Sequence, residues 1–161
     1  MDKTVCGSNK FFYKNYTIHF VVTGDADCEV RVQLTNSIQL TSRFSMDIND
    51  FFSNNGQTLF IDRMCALLQI NDTSRLKIVG VYNGSVTVIS FIEAPKISST
   101  DGSTLTQSQQ MASIQATQNL LNQVVADGSL NSALSTGGSL GPLLSVSSTV
   151  HLLTGDNENK K

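Results

Sequence analysis

Apolar and polar positions alternate along much of this chain, and where they stop alternating they shift to helical spacing. Tyr16-Thr17-Ile18-His19-Phe20-Val21-Val22 is rich in β-branched and aromatic residues and stops at Gly24, which predicts a strand. After the acidic turn Asp25-Ala26-Asp27, the residues Val30, Val32 and Leu34 alternate with Arg31, Gln33 and Thr35. This period of two predicts a second strand reaching Phe44. Asp47 or Asp50 can cap a helix whose apolar face opens with Phe51 and Phe52 and continues through Phe60, Met64, Leu67 and Leu68 to Ile70. Ser53-Asn54-Asn55-Gly56 interrupts that helix. Two further strand-like runs, Arg75 to Tyr82 and Ser85 to Ile92, are separated by Asn83-Gly84 alone. That pair predicts a two-residue type I′ hairpin, because both central positions of such a turn need positive φ.

The hairpin ends at Ala94-Pro95, and a polar linker runs from Lys96 to Thr104. A second helix is expected from Leu105 to Ala126, with Ile114, Thr117, Leu121, Val124 and Val125 on one face and Asp127-Gly128 as its stop. Ser129 to Leu134 adds a turn, Gly137 to Pro142 breaks the chain, and Leu143 to Leu153 returns as a strand. From Val30 onward the order is strand, helix, strand, strand, helix, strand. It is the split βαβ pattern of ferredoxin-like α+β folds, an antiparallel four-stranded sheet with both helices on one face, here preceded by an N-terminal strand segment. The expected organisation is an upstream segment over 1–27, the βαββαβ domain over 28–154 and a polar tail over 155–161.

Composition narrows the function classes. With 161 residues, 40% hydrophobic and net charge −2, the chain can bury one core and shows no basic patch for nucleic acid. The aromatic and basic strand signature of ferredoxin-like RNA-binding domains is also missing, since Ser85 to Ile92 holds one Phe and no Arg or Lys. No apolar run approaches the ~20 residues that span a bilayer, so no membrane insertion by this segment is expected. Asn15-Tyr16-Thr17, Asn71-Asp72-Thr73 and Asn83-Gly84-Ser85 satisfy the N-glycosylation sequon, which favours an extracellular setting. Cys6, Cys28 and Cys65 form no Cys-x-x-Cys pair, and with only His19 and His151 available they make no zinc site. Cys6 and Cys28 are candidates for a disulfide, and Cys65, inside an apolar helical stretch, reads as a small buried hydrophobe. Asp25, Asp27 and Glu29 alternate like calcium ligands but lack the Gly and distal Glu of an EF-hand loop, so they read as a solvated turn. No metal or cofactor is expected.

One segment carries candidate chemistry. Asn83-Gly84-Ser85-Val86-Thr87-Val88 joins a turn signal to a hydroxyl nucleophile at the start of an apolar strand. Ser85 can attack the Gly84 carbonyl, moving the acyl group from nitrogen to oxygen, and water then hydrolyses the ester. Serine is a weak nucleophile at its free pKa and normally needs an adjacent base. The chain has no Gly-x-Ser-x-Gly elbow and no His near Ser85 in sequence, which leaves His151 as a base that only the fold could bring close. On the residues alone, the segment is either a plain turn or a bond that folding breaks. A glycan on Asn83 would project beside that bond.

Phe51-Phe52, Phe60, Ala66 to Ile70, Ser74 to Val79, Gly84-Ser85-Val86 and Phe91 together resemble a SEA domain. More narrowly, they resemble the SEA-like segment near the membrane end of the fibrocystin and fibrocystin-L proteins. The upstream Asn9 to Phe12 and Thr17 to Val22 resemble the segment preceding it, and the likeness is strongest from Phe51 to Ile92. Many SEA domains carry Gly-Ser-Val-Val-Val at a hairpin turn and cut themselves between Gly and Ser. Here Gly84 and Ser85 match that scissile pair, while Thr87 departs from the apolar pattern. The resemblance implies that folding strain drives the step: twisting ω by ~12° costs about 1 kcal/mol, grows quadratically and weakens amide resonance. Gly84 suits such a turn because it tolerates geometries closed to other residues.

The expectation is therefore an extracellular module of a large single-pass receptor, structural or adhesive, cut between Gly84 and Ser85 with its halves held by the shared sheet. Its partners would be the rest of the receptor chain and an extracellular protein or glycan. It would be no enzyme apart from that single turnover. The alternatives are an uncleaved ferredoxin-like module that binds protein or glycan, and a small ferredoxin-fold enzyme.

Overall fold

The strand expected to run unbroken from Val30 to Phe44 is two strands in two different sheets. The structure, a computed structural model, describes residues 10–13, 16–22, 30–33, 35–98 and 100–153. Cys6, Asn15, Cys28, the acidic turn at Asp25, Asp27 and Glu29, and the tail from Gly155 lie outside the described residues. By its internal contacts the chain forms two units, Met1–Thr35 with Leu153–Lys161, and Asn36–Leu152. In the first, β1 (Lys10–Tyr13), β2 (Tyr16–Val22) and β3 (Val30–Gln33) make an antiparallel three-stranded sheet in that order. β4 (Ser37–Phe44) opens the second unit. Asn36 separates the two strands: it is fully buried, and its carbonyl accepts the Ala94 N–H at 2.8 Å.

The larger unit continues with α1 (Ile48–Ser53), α2 (Gly56–Leu67), a 3-10 turn at Thr73–Arg75, β5 (Leu76–Tyr82) and β6 (Val86–Glu93). It closes with α3 (Gln107–Ala126), α4 (Ser129–Ser135) and β7 (Leu143–His151). Its four-stranded sheet has the order β5-β6-β4-β7 with every pairing antiparallel, the α+β arrangement that the split βαβ pattern predicts.

Alternation fixes which face of this sheet is covered. Ile38, Leu40, Ser42 and Phe44 of β4 are fully buried, and so are their partners Ile92, Ser90, Val88 and Val86 on β6. Both main helices lie on that face: Phe44 meets Phe60 of α2 edge to face at 6.2 Å, and Gln118 of α3 donates to Ser148 Oγ of β7 at 3.0 Å. Burying side chains of this size stabilises the fold by about 1.5–3 kcal/mol each. Arg63 Nη1 of α2 donates to the Leu134 carbonyl at 2.7 Å and so ties α4 to α2.

Asp47 caps α1 by accepting the Asn49 N–H at 2.7 Å, and Thr106 caps α3 in a reciprocal box with Gln109. α1 and α2 are separated at Asn54-Asn55, where Asn55 takes a left-handed φ of 55°. At Gly56 a Cβ would stand 2.5 Å from both Phe51 Cδ2 and the Phe51 carbonyl, so the chain can turn here only without a side chain. Phe51 is fully buried while Phe52 is 50% exposed, because neighbours on a helix point about 100° apart and only one can face the sheet. Val125, in the last turn of α3, is 43% exposed and does not share the buried face of Ile114, Leu121 and Val124. Among the described residues no helix is long and apolar enough to cross a membrane.

Candidate functional site

β5 and β6 form the expected hairpin, but its turn differs from the predicted one. Tyr82 pairs with Thr87, Val81 with Val88 and Gly80 with Ile89, so four residues, Asn83 to Val86, connect the last register pair. Of these only Gly84 has positive φ, at 121°, whereas a type I′ turn needs left-handed geometry at Asn83 as well. Local bonds explain the longer turn. Asn83 Oδ1 accepts the Gly84 N–H at 2.8 Å, and the Thr87 hydroxyl donates to the Ser85 carbonyl at 3.2 Å. Val86 is meanwhile fully buried and committed to Phe44 of β4 on its other side. Val79 is the extra residue of a bulge between Ile78 and Gly80 that re-aims the end of β5.

Gly84 is exposed with nothing within 4 Å of where a Cβ would lie, so its φ rather than crowding excludes other residues there. Ser85 is half-buried, and its Oγ accepts a hydrogen bond from Arg43 Nη2 at 3.2 Å. Arg43 lies on the central strand β4, opposite Thr87, and reaches the turn from the sheet face away from the helices. Sequence reasoning missed it. Only the β4–β6 register, in which Phe44 meets Val86 and Arg43 meets Thr87, reveals that an arginine stands beside the candidate nucleophile. A guanidinium donating to the hydroxyl oxygen favours the alkoxide that develops as the proton leaves, and it accepts no proton itself.

His151 is not the missing base. It pairs with Ser37, at the opposite end of β4 from Phe44, which puts it roughly 24 Å along the strand from the turn at ~3.4 Å per residue. Its Nε2 lies 3.4 Å from Gln39 Oε1, its ring stacks at a tilt on Phe91 with centroids 6.2 Å apart, and burial lowers its pKa.

Of the sequon asparagines described, Asn71 and Asn83 are both exposed, Asn71 in the loop after α2 and Asn83 in the hairpin turn. Cys65 is buried and free, and its thiol pKa is raised by burial first and by Asp62 second. This is the setting of an unreactive thiol.

The order of the strands bears on what a break at Gly84–Ser85 would do. Such a break assigns β4 and β5 to one piece and β6 and β7 to the other. In the order β5-β6-β4-β7 the pieces then alternate, so every ladder of the sheet joins one piece to the other. Neither a scan of protein-family models nor searches of curated proteins and of solved structures find a match to this chain.

Proposed function

We propose that this chain is an extracellular SEA-like module of a fibrocystin-type receptor. Its role is structural or adhesive, and its own fold breaks the Gly84–Ser85 bond. The observation that carries the reading is the hairpin tip: a glycine at φ 121°, followed by a half-buried serine whose Oγ is engaged by Arg43. The exposed sequons at Asn71 and Asn83 support the extracellular setting.

In the proposed step the Ser85 hydroxyl adds to the Gly84 carbonyl carbon, and the Gly84–Ser85 C–N bond breaks as the Ser85 nitrogen takes up a proton. The product is a Gly84 ester on Ser85 Oγ with a free amine. Water then adds to the ester carbonyl and releases a Gly84 carboxylate and the Ser85 hydroxyl. One water is consumed and nothing is oxidised or reduced. Arg43 supports the first addition by stabilising negative charge on oxygen. The interleaved sheet keeps the pieces together, so the product is a mechanical joint that parts only when all the ladders fail.

The test is the secreted protein on a reducing, denaturing gel beside Ser85→Ala and Ser85→Cys. The wild type should give two bands, the alanine variant one, and the cysteine variant two. A single band for the wild type, or two bands for the alanine variant, overturns the reading.

A further inference from the structure

At the end of the hairpin remote from Gly84, the loop after α2 and the loop after β6 enclose a cleft of about 660 Å³, within the range of small-ligand sites. Arg75, Lys77 and Lys96 line it, together with Asp72 and Glu93. The two carboxylates are already engaged. Asp72 Oδ1 accepts from Ser74 Oγ at 2.6 Å and from Ser74 N at 3.1 Å, while both Glu93 carboxylate oxygens lie 2.9 Å from Lys77 Nζ.

The other two cations are not matched in this way. Arg75 Nε donates to the Glu93 carbonyl at 2.9 Å, yet its Nη2 is buried without a hydrogen-bond partner among the described residues. Among the described residues no carboxylate forms an ion pair with Arg75. Lys96 is exposed at the mouth and has no ion-pair partner among the described residues. Around these charges stand the neutral polar side chains of Gln69, Asn71 and Ser98, and Ile97 and Leu105 give the cleft an apolar wall. Ile97 is 61% exposed, a large apolar side chain left open beside charged groups.

We propose that this cleft binds a small carboxylate-bearing ligand of monosaccharide or dipeptide size, its carboxylate taken by Arg75 and Lys96. Arg75 and Lys96 put two positive charges with N–H donors on the lining of the cleft, and a carboxylate is the acceptor that matches a guanidinium. Neutral amides and hydroxyls serve the ligand's remaining polar groups, and the apolar wall packs its carbon skeleton. The site is independent of the Gly84–Ser85 bond, since the cleft lies at the other end of β5 and β6.

The experiment is amide-resolved NMR titration of the full chain, made without glycans, against glucuronate, an acidic dipeptide and, as the neutral control, glucose. Glucuronate or the dipeptide should shift the signals of Arg75, Lys77, Lys96 and Ser98 in a saturable way, with glucose at least tenfold weaker. The tighter of the two acids identifies the source of the carboxylate. Lys96→Glu, an exposed loop change that leaves the core untouched, should weaken that acid at least tenfold, and Arg75→Gln should do the same. Absence of saturable shifts with both acids, equal binding of glucose, or full affinity in Lys96→Glu overturns the proposal.

Discussion

Arg43→Gln isolates the contribution of the guanidinium to the proposed scission. The bond from Nη2 to Ser85 Oγ is 3.2 Å long and solvent-exposed. Hydrogen bonds to charged groups contribute about 1.5–3 kcal/mol net, and exposure puts this one at the low end. Taking about 1.4 kcal/mol as the loss in the transition state gives a tenfold slower reaction. The assay starts from denatured, unbroken chain, dilutes it into folding buffer and quenches samples in denaturant for densitometry or mass analysis. Glutamine keeps a polar donor on an exposed strand position, so the urea midpoint should move little. A matched midpoint with a rate within about twofold of the wild type refutes the role given to Arg43. A matched midpoint with a roughly tenfold slower rate supports it.

Two further outcomes follow from the packing and the charges. Gly56→Ala drives a Cβ into the Phe51 ring edge and carbonyl at 2.5 Å, and since the carbonyl cannot swing aside it should cost about 1–3 kcal/mol in urea unfolding; an unchanged midpoint would contradict the fit described. The Asp72 carboxyl is held below its ordinary range by the Ser74 hydroxyl and then the Ser74 N–H, so its contribution is present above the ordinary carboxylate pKa of about 3.9 and lost as pH falls through the lowered value. Comparing wild type with Asp72→Asn by urea unfolding from neutral to strongly acidic pH should show their gap close on the acid side, and a gap independent of pH would contradict the assignment.

The elements of the larger unit were legible because each signal was local. Alternation marked β5 and β6, the Asn-Gly pair marked the reversal between them, and Ser53 to Gly56 marked the break that separates α1 from α2. Thr106 and Gln109 form a capping box that the helix start at Leu105 overran by two residues. What failed was set by partners distant in sequence. Val30, Val32 and Leu34 carry the same period as Ile38, Leu40 and Phe44, so periodicity could not tell one strand from two. Turn length was misjudged for a related reason: Val86 is held by Phe44 rather than by Tyr82, and a dipeptide rule knows nothing of β4. Arg43 and the cleft around Arg75 were invisible because each depends on segments brought together only by the sheet order.

The most direct measurement is mass spectrometry of one purified sample, introduced first from native buffer and then from denaturant. Self-scission within an interleaved sheet predicts one assembled species in native buffer, one water heavier than the unbroken 17.4 kDa chain. In denaturant the same sample should give two polypeptides, the second beginning at Ser85. A folded sample showing one polypeptide of unbroken mass under both conditions would contradict the account.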